Sequence, residues 1–134
     1  MTLLGRHYDE DGIIELFNSL PNDATYVIEQ VGARLGDGAM QAFSLGGGFM
    51  ALKMAVRGKG LKPVLVLPQV WKKPLKLIGK DKEASRQLAL TLFPEFEEEL
   101  KYKKSHDKAE ALLIGYYAKE YLCQENQEKK KKKR

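Results

Sequence analysis

Apolar residues recur at helical spacing through Gly12-Ile13-Ile14-Glu15-Leu16-Phe17-Asn18-Ser19-Leu20 and stop at Pro21, which predicts a short amphipathic helix. Pro21-Asn22-Asp23 reads as a turn. The run from Ala24 to Gln30 then predicts a buried strand that carries Glu29 near its end, followed by a Gly-punctuated loop from Gly32 to Gly38. Met40 to Arg57 has the length and apolar content of a helix, although Gly46, Gly47 and Gly48 interrupt it. Each glycine costs about 1 kcal/mol in a helix relative to Ala, so three in a row imply close approach of another backbone. A phosphate-cradling loop is the alternative, but neither a Walker pattern nor a strand-borne dinucleotide fingerprint is present. Gly58-Lys59-Gly60 breaks the helix, and Pro63-Val64-Leu65-Val66-Leu67-Pro68 is a short apolar strand bounded by prolines. Strand, helix and strand in this order predict a parallel βαβ unit with a right-handed crossover. Glu29 and Pro68 then lie at the carboxyl edge of one sheet, where open α/β sheets hold ligands.

Beyond Pro68 the pattern turns helical. Trp71, in Gln69-Val70-Trp71-Lys72-Lys73, is read as a packed anchor in preference to a base-stacking platform, because a lone tryptophan usually buries its large surface. Asp81 stands at the cap of a helix that ends near Phe93-Pro94. Glu95 to Lys104 reads as a short charged helix, and Asp107 to about Glu120 as the last, with Leu112, Leu113 and Tyr116 on its core side. Met1 to Asp11 is polar and Gly-punctuated, a weakly anchored start.

The length suits one compact domain, assigned to residues 1–123, with a basic tail at 124–134 expected to be disordered. Lys129 to Arg134 are all basic; without those six charges the net +5 of the chain falls to about −1. Lysines also crowd between Lys53 and Lys82 and at Lys101, Lys103, Lys104 and Lys108, the surround that a polyanion requires. The single Cys123 excludes an internal disulfide and a thiolate cluster, and a packed thiol is its expected role. No apolar stretch has the length of a membrane span and no signal peptide is evident, so a soluble intracellular protein is expected.

His106, Asp107 and Glu110 stand at helical spacing, so all three can share one side of the last helix. Such charges are ordinarily a solvated face. Glu29 is different, because a carboxylate inside a β-branched run is costly to bury without a partner. Two remote acidic positions on rigid elements suggest a hard-cation centre for Mg²⁺ or Mn²⁺, which takes oxygen ligands from several elements.

Taken together, Ile28-Glu29-Gln30-Val31, Pro68-Gln69-Val70-Trp71-Lys72-Lys73, Lys80-Asp81-Lys82-Glu83-Ala84-Ser85-Arg86 and His106-Asp107-Lys108-Ala109-Glu110-Ala111-Leu112-Leu113 resemble the RuvC-like crossover-junction endonucleases, in the family's order and at about its spacing from Tyr26 to Tyr117. The resemblance implies an α/β ribonuclease H-like fold with a mixed sheet flanked by helices. It also implies a homodimer that cuts four-way DNA junctions in recombination, repair or phage DNA processing, using two Mg²⁺ or Mn²⁺ ions. Glu29 resembles the acid at the end of the family's fourth strand and Glu110 the acid on its last helix, while either His106 or Asp107 matches the remaining C-terminal ligand. Lys72, Lys73, Lys80 and Lys82 resemble phosphate-contacting residues, with Lys103 and Lys104 added by their charge. A bacterial or phage cytoplasmic setting, or an organellar one, goes with the family.

Two departures change the expectation. Leu35, Asp37, Met40 and Gln41 stand where the family's loop after the first of these acids usually carries Pro, Gln and Ser. Family members also open with a strand ending in an Asp that bridges both ions, and no such segment precedes Gly12 to Leu20; Asp9, Glu10 and Asp11 are poor substitutes. The fold is therefore expected to be N-terminally incomplete and the isolated chain inactive, because close cations need a bridging carboxylate. A complementing N-terminal polypeptide, a dimer covering the strand edge, or a non-catalytic DNA-binding remnant all follow as alternatives.

Overall fold

The computed structural model describes residues 8–133, without the side chains of residues 123–127. Cys123 as a packed thiol, the first seven residues of the polar start and Arg134 of the basic run therefore lie outside the described residues. The sequence reads as one domain over residues 1–123, whereas the chain divides into two compact units, Met1–Leu67 and Pro68–Arg134. No helix among the described residues is long and apolar enough to cross a membrane.

The first unit is built on the expected strand–helix–strand sequence. Helix α1 (Glu10–Ser19) starts at Asp9, whose carboxylate accepts from the Gly12 N–H at 2.9 Å and so satisfies one donor left open at the helix start. At its far end the Lys59 ammonium donates to the carbonyls of Phe17 at 2.6 Å and Leu20 at 2.9 Å, giving carbonyls at and beyond the last turn a partner. Strand β1 (Val27–Glu29) pairs in parallel with β2 (Val64–Val66), Val27 opposite Val64, Ile28 opposite Leu65 and Glu29 opposite Val66. Between them runs α2 (Ala39–Gly58). Its glycine run is approached by a side chain, where the sequence suggests a backbone. Tyr8 donates its hydroxyl to the Ser44 carbonyl at 2.8 Å, and a Cβ on Gly48 would lie 3.0 Å from that hydroxyl oxygen. Gly46 has open space beside it, and nothing in the structure explains it.

The second unit is helical. Helix α3 (Pro68–Lys72) delivers Trp71 to full burial, as an anchor. Lys76 adopts a left-handed backbone, φ 59°, where the chain reverses after α3; the Leu77 N–H reaches the Lys72 carbonyl at 3.0 Å, and Leu77 is buried. Helix α4 (Lys82–Leu92) is capped by Asp81, which accepts from the Ala84 N–H at 3.0 Å. A 3₁₀ turn at Pro94–Phe96 leads into α5 (Glu97–Leu100), and a second at Lys103–Ser105 leads into α6 (His106–Tyr117). Helices α4 and α6 pack together, and α6 buries Ala109, Leu113, Ile114 and Tyr117. Leu112 and Tyr116, expected on the core side, are only half-buried because that side is rotated toward Ile114 and Tyr117.

One expectation is corrected. Helix accounts for 64 % of the structure and the described strands form one two-stranded parallel sheet, so among the described residues the mixed sheet flanked by helices of a ribonuclease H-like fold is not found. The reason is in the chain: outside Ala24–Gln30 and Pro63–Pro68 its periodicity is helical, so no further described segment joins the sheet. With one neighbour each, the strands pair over three residues, and Val27 to Glu29 are half-buried rather than buried. The basic run, expected to be disordered, continues from α6 through a π-helical turn at Ala118–Leu122 into α7 (Cys123–Lys132). Lysine is a good helix former, and cations in a last turn are favoured by the carbonyl end of the helix dipole.

Candidate nucleic-acid interface

The start of α6 is where charge gathers. Backbone pairing of the Ser105 N–H with the Tyr102 carbonyl at 2.9 Å closes the preceding turn and brings His106 back over it. His106 Nδ1 lies 3.3 Å from the Lys103 carbonyl, which can only accept, so Nδ1 carries the proton of that contact. The Lys82 ammonium, which can only donate, lies 3.2 Å from Nε2. A ring protonated only at Nδ1 can accept from Lys82 at Nε2, while a ring that carries a proton on Nε2 can donate there to Asp107. Asp107 Oδ1 is 3.3 Å from the same Nε2 on a side chain 88 % exposed, facing solvent beside the Lys82 cation. Glu110, one turn further along, is half-buried.

Beneath this cluster Arg86 fixes the chain geometry. Its guanidinium donates to the Leu100 carbonyl at 2.9 Å and the Lys101 carbonyl at 3.2 Å, while Nε and Nη2 hold Glu83 in a bidentate pair. The guanidinium, then the Gln87 amide and the charge of Lys103, pull the Glu83 carboxyl from 4.5 down to about 2 against the opposing effect of desolvation. Glu83 in turn raises Arg86 above its ordinary value through their hydrogen bonds. Arg86 thereby fixes the end of α5 against α4, and from there Lys101, Lys103 and Lys104 project around the start of α6.

Of the residues singled out in the sequence, His106, Asp107, Lys82 and Lys103 come together here. Lys104 and Lys101 flank the exposed Tyr102 in the adjoining turn, their ammoniums 5.7 and 5.2 Å from its ring centroid. Lys72 lies with its ammonium 5.4 Å from the Trp71 ring centroid, while Lys73 and Lys80 are exposed around the α3–α4 connection. Glu29 belongs to the first unit, half-buried at the end of β1, where the Gln30 N–H donates to the Val66 carbonyl at 2.8 Å. Neither Glu29 nor Glu110 is without an interaction partner. Leu35, in the loop beyond β1, is fully exposed at a turn closed by the Asp37 carboxylate, which accepts from the Arg34 N–H at 2.8 Å.

Among the described residues no three His, Cys, Asp or Glu side chains are grouped so as to hold an ion. At the start of α6 the Lys82 ammonium faces the imidazole nitrogen that a metal would use. The structure brings forward two residues that spacing left unmarked. Arg86 is buried on an amphipathic helix, and only its long-range carbonyl partners reveal its task; Tyr102 was legible as an aromatic residue inside the lysine run from Lys101 to Lys104.

No protein-family model matches the chain, and no curated protein matches it significantly.

Proposed function

We propose that the chain is a DNA-engaging subunit of a metal-dependent nuclease acting on four-way junctions. The connected group of Lys82, Lys103, His106 and Asp107 at the start of α6 carries this proposal. The Lys82 ammonium and the exposed Asp107 carboxylate meet at the same His106 nitrogen, and lysines of the preceding turn add the positive charge that a phosphate with a divalent cation calls for. The described donors do not complete a metal site, so Mg²⁺ or Mn²⁺ requires oxygen ligands in addition to Asp107 and Glu110. DNA, preferentially branched, is then the ligand of the lysine surface, including Lys72, Lys73, Lys80 and Lys104. A second copy of the chain is the proposed protein partner.

The test is cleavage of a synthetic four-way junction with Mn²⁺ by the purified chain. Cutting that is abolished by Glu110→Gln is the expected result. A chain that binds the junction but never cuts it shows instead a non-catalytic DNA-binding protein. That second possibility is favoured by the Lys82–His106 contact, which places a cation from the protein itself at the imidazole.

A further inference from the structure

Tyr102 stands in the turn between α5 and the 3₁₀ turn at Lys103–Ser105, 53 % exposed. The ring is bracketed in sequence and in space by cations: Lys101 precedes it and Lys104 follows two residues on, each with its ammonium within 6 Å of the ring centroid. Lys101 is also held by Glu98 at 2.8 Å, which steadies that side of the turn. Arg86, bonded to the carbonyls of Leu100 and Lys101, anchors the backbone from which the ring projects.

We propose that Tyr102 is a stacking platform for an unpaired nucleobase, with Lys101 and Lys104 taking the phosphates on either side of it. A nucleotide strand offers flat π-surfaces at regular intervals, each flanked by an anion. An exposed aromatic ring between two ammoniums is the complementary surface. A base on the ring displaces an ammonium from the π-face, and the ammonium then has a phosphate within reach. Trp71, the chain's single tryptophan, cannot serve in this way because it is fully buried. The site rests on the nucleic-acid part of the proposed function and needs neither metal nor cleavage. It defines the preferred substrate as DNA with bases released from pairing, as at a branch point.

The full chain is titrated, without divalent metal, against a fluorescently labelled single strand on the order of 16 nucleotides long and against a duplex of the same length. Tyr102→Ala is expected to weaken single-strand binding about tenfold while duplex binding changes less than about twofold, since duplex affinity comes from phosphate contacts. Tyr102→Phe is expected to bind like the original. A 2-aminopurine placed in the strand is quenched by the original and Phe proteins and not by the Ala protein. Equal weakening on both DNAs, or a Phe variant as weak as Ala, overturns the stacking role. Base-specific quenching by a chain that fails to cut junctions upholds the platform and overturns the nuclease assignment alone; an original chain that binds no DNA overturns both.

Discussion

A single buried guanidinium does several jobs in the second unit. Arg86 neutralises Glu83 and supplies donors to two carbonyls at the end of α5, 14 and 15 residues away in sequence. An ammonium at this position would lack the planar fork needed to serve both partners. Because the Glu83 carboxyl is held down at about 2, it stays ionised in the folded chain at acidities where an unfolded glutamate has taken up a proton. Its contribution to stability is therefore complete above about pH 4.5 and is lost as the pH falls toward about 2. Glu83→Gln should lower the urea midpoint at pH 7 and remove this part of the acid dependence. Urea titrations at a series of pH values check it; identical acid profiles for the two proteins would show that the pair does not form in solution. The same paired residues brace the turn that bears Tyr102, so the variant should also loosen single-strand binding at neutral pH.

Among the elements, α2 and α3 use apolar residues in opposite ways. In α3, Trp71 is fully buried and the element packs on α6. Replacing it by Ala should cost about 3–5 kcal/mol, the usual range for removing a large aromatic from a core. Denaturant unfolding measures this, and DNA affinity per folded molecule should be unchanged because the indole is not a binding surface. In α2, Met40, Phe43, Met50 and Met54 are exposed at three- and four-residue intervals, Met40 and Phe43 by 80 % and 86 %. Gly47 occupies the remaining position in that series, with the Tyr8 ring 3.6 Å from where its Cβ would lie. The proposed second copy would dock on this stripe. Phe43→Glu with Met50→Glu should shift a dimer to a monomer in sedimentation equilibrium while leaving the helical circular dichroism in place. A double variant with the original sedimentation behaviour would rule out this face.

At the scale of the whole molecule, charge is distributed between fixed and terminal lysines. The cluster at Lys82, Lys101, Lys103 and Lys104 is held by named contacts to His106, Glu98 and the Tyr102 ring. The terminal lysines project from α7, with Lys129 to Lys132 in its last turn. A run of adjacent like charges neutralises phosphates without distinguishing one DNA shape from another. Deleting Lys129 to Arg134 should therefore weaken junction and duplex binding by similar factors and flatten the salt dependence of both. A loss confined to the junction would give the terminal helix a role in recognising branches.

Much of the local structure was legible in the order of residues. Pro21 marks the stop just beyond α1, Asp81 caps α4, two β-branched runs separated by an apolar helix become a parallel pair, and Trp71 goes inside. These outcomes depend on backbone chemistry and periodicity within a few residues, which the sequence carries directly. Part of the site was legible for the same reason, since His106 and Asp107 are neighbours at a helix start. What only the tertiary structure decided involves partners far apart in the chain. The sheet stops at two strands, Tyr8 covers Gly48, Lys82 meets His106, and Arg86 captures the end of α5. Spacing can place a carboxylate on a helix face, but it contains no distance to a residue two elements away. A set of oxygen ligands drawn from separate elements depends on such distances, whereas the lysine and tyrosine surface around α6 arises from neighbouring residues that folding only had to orient.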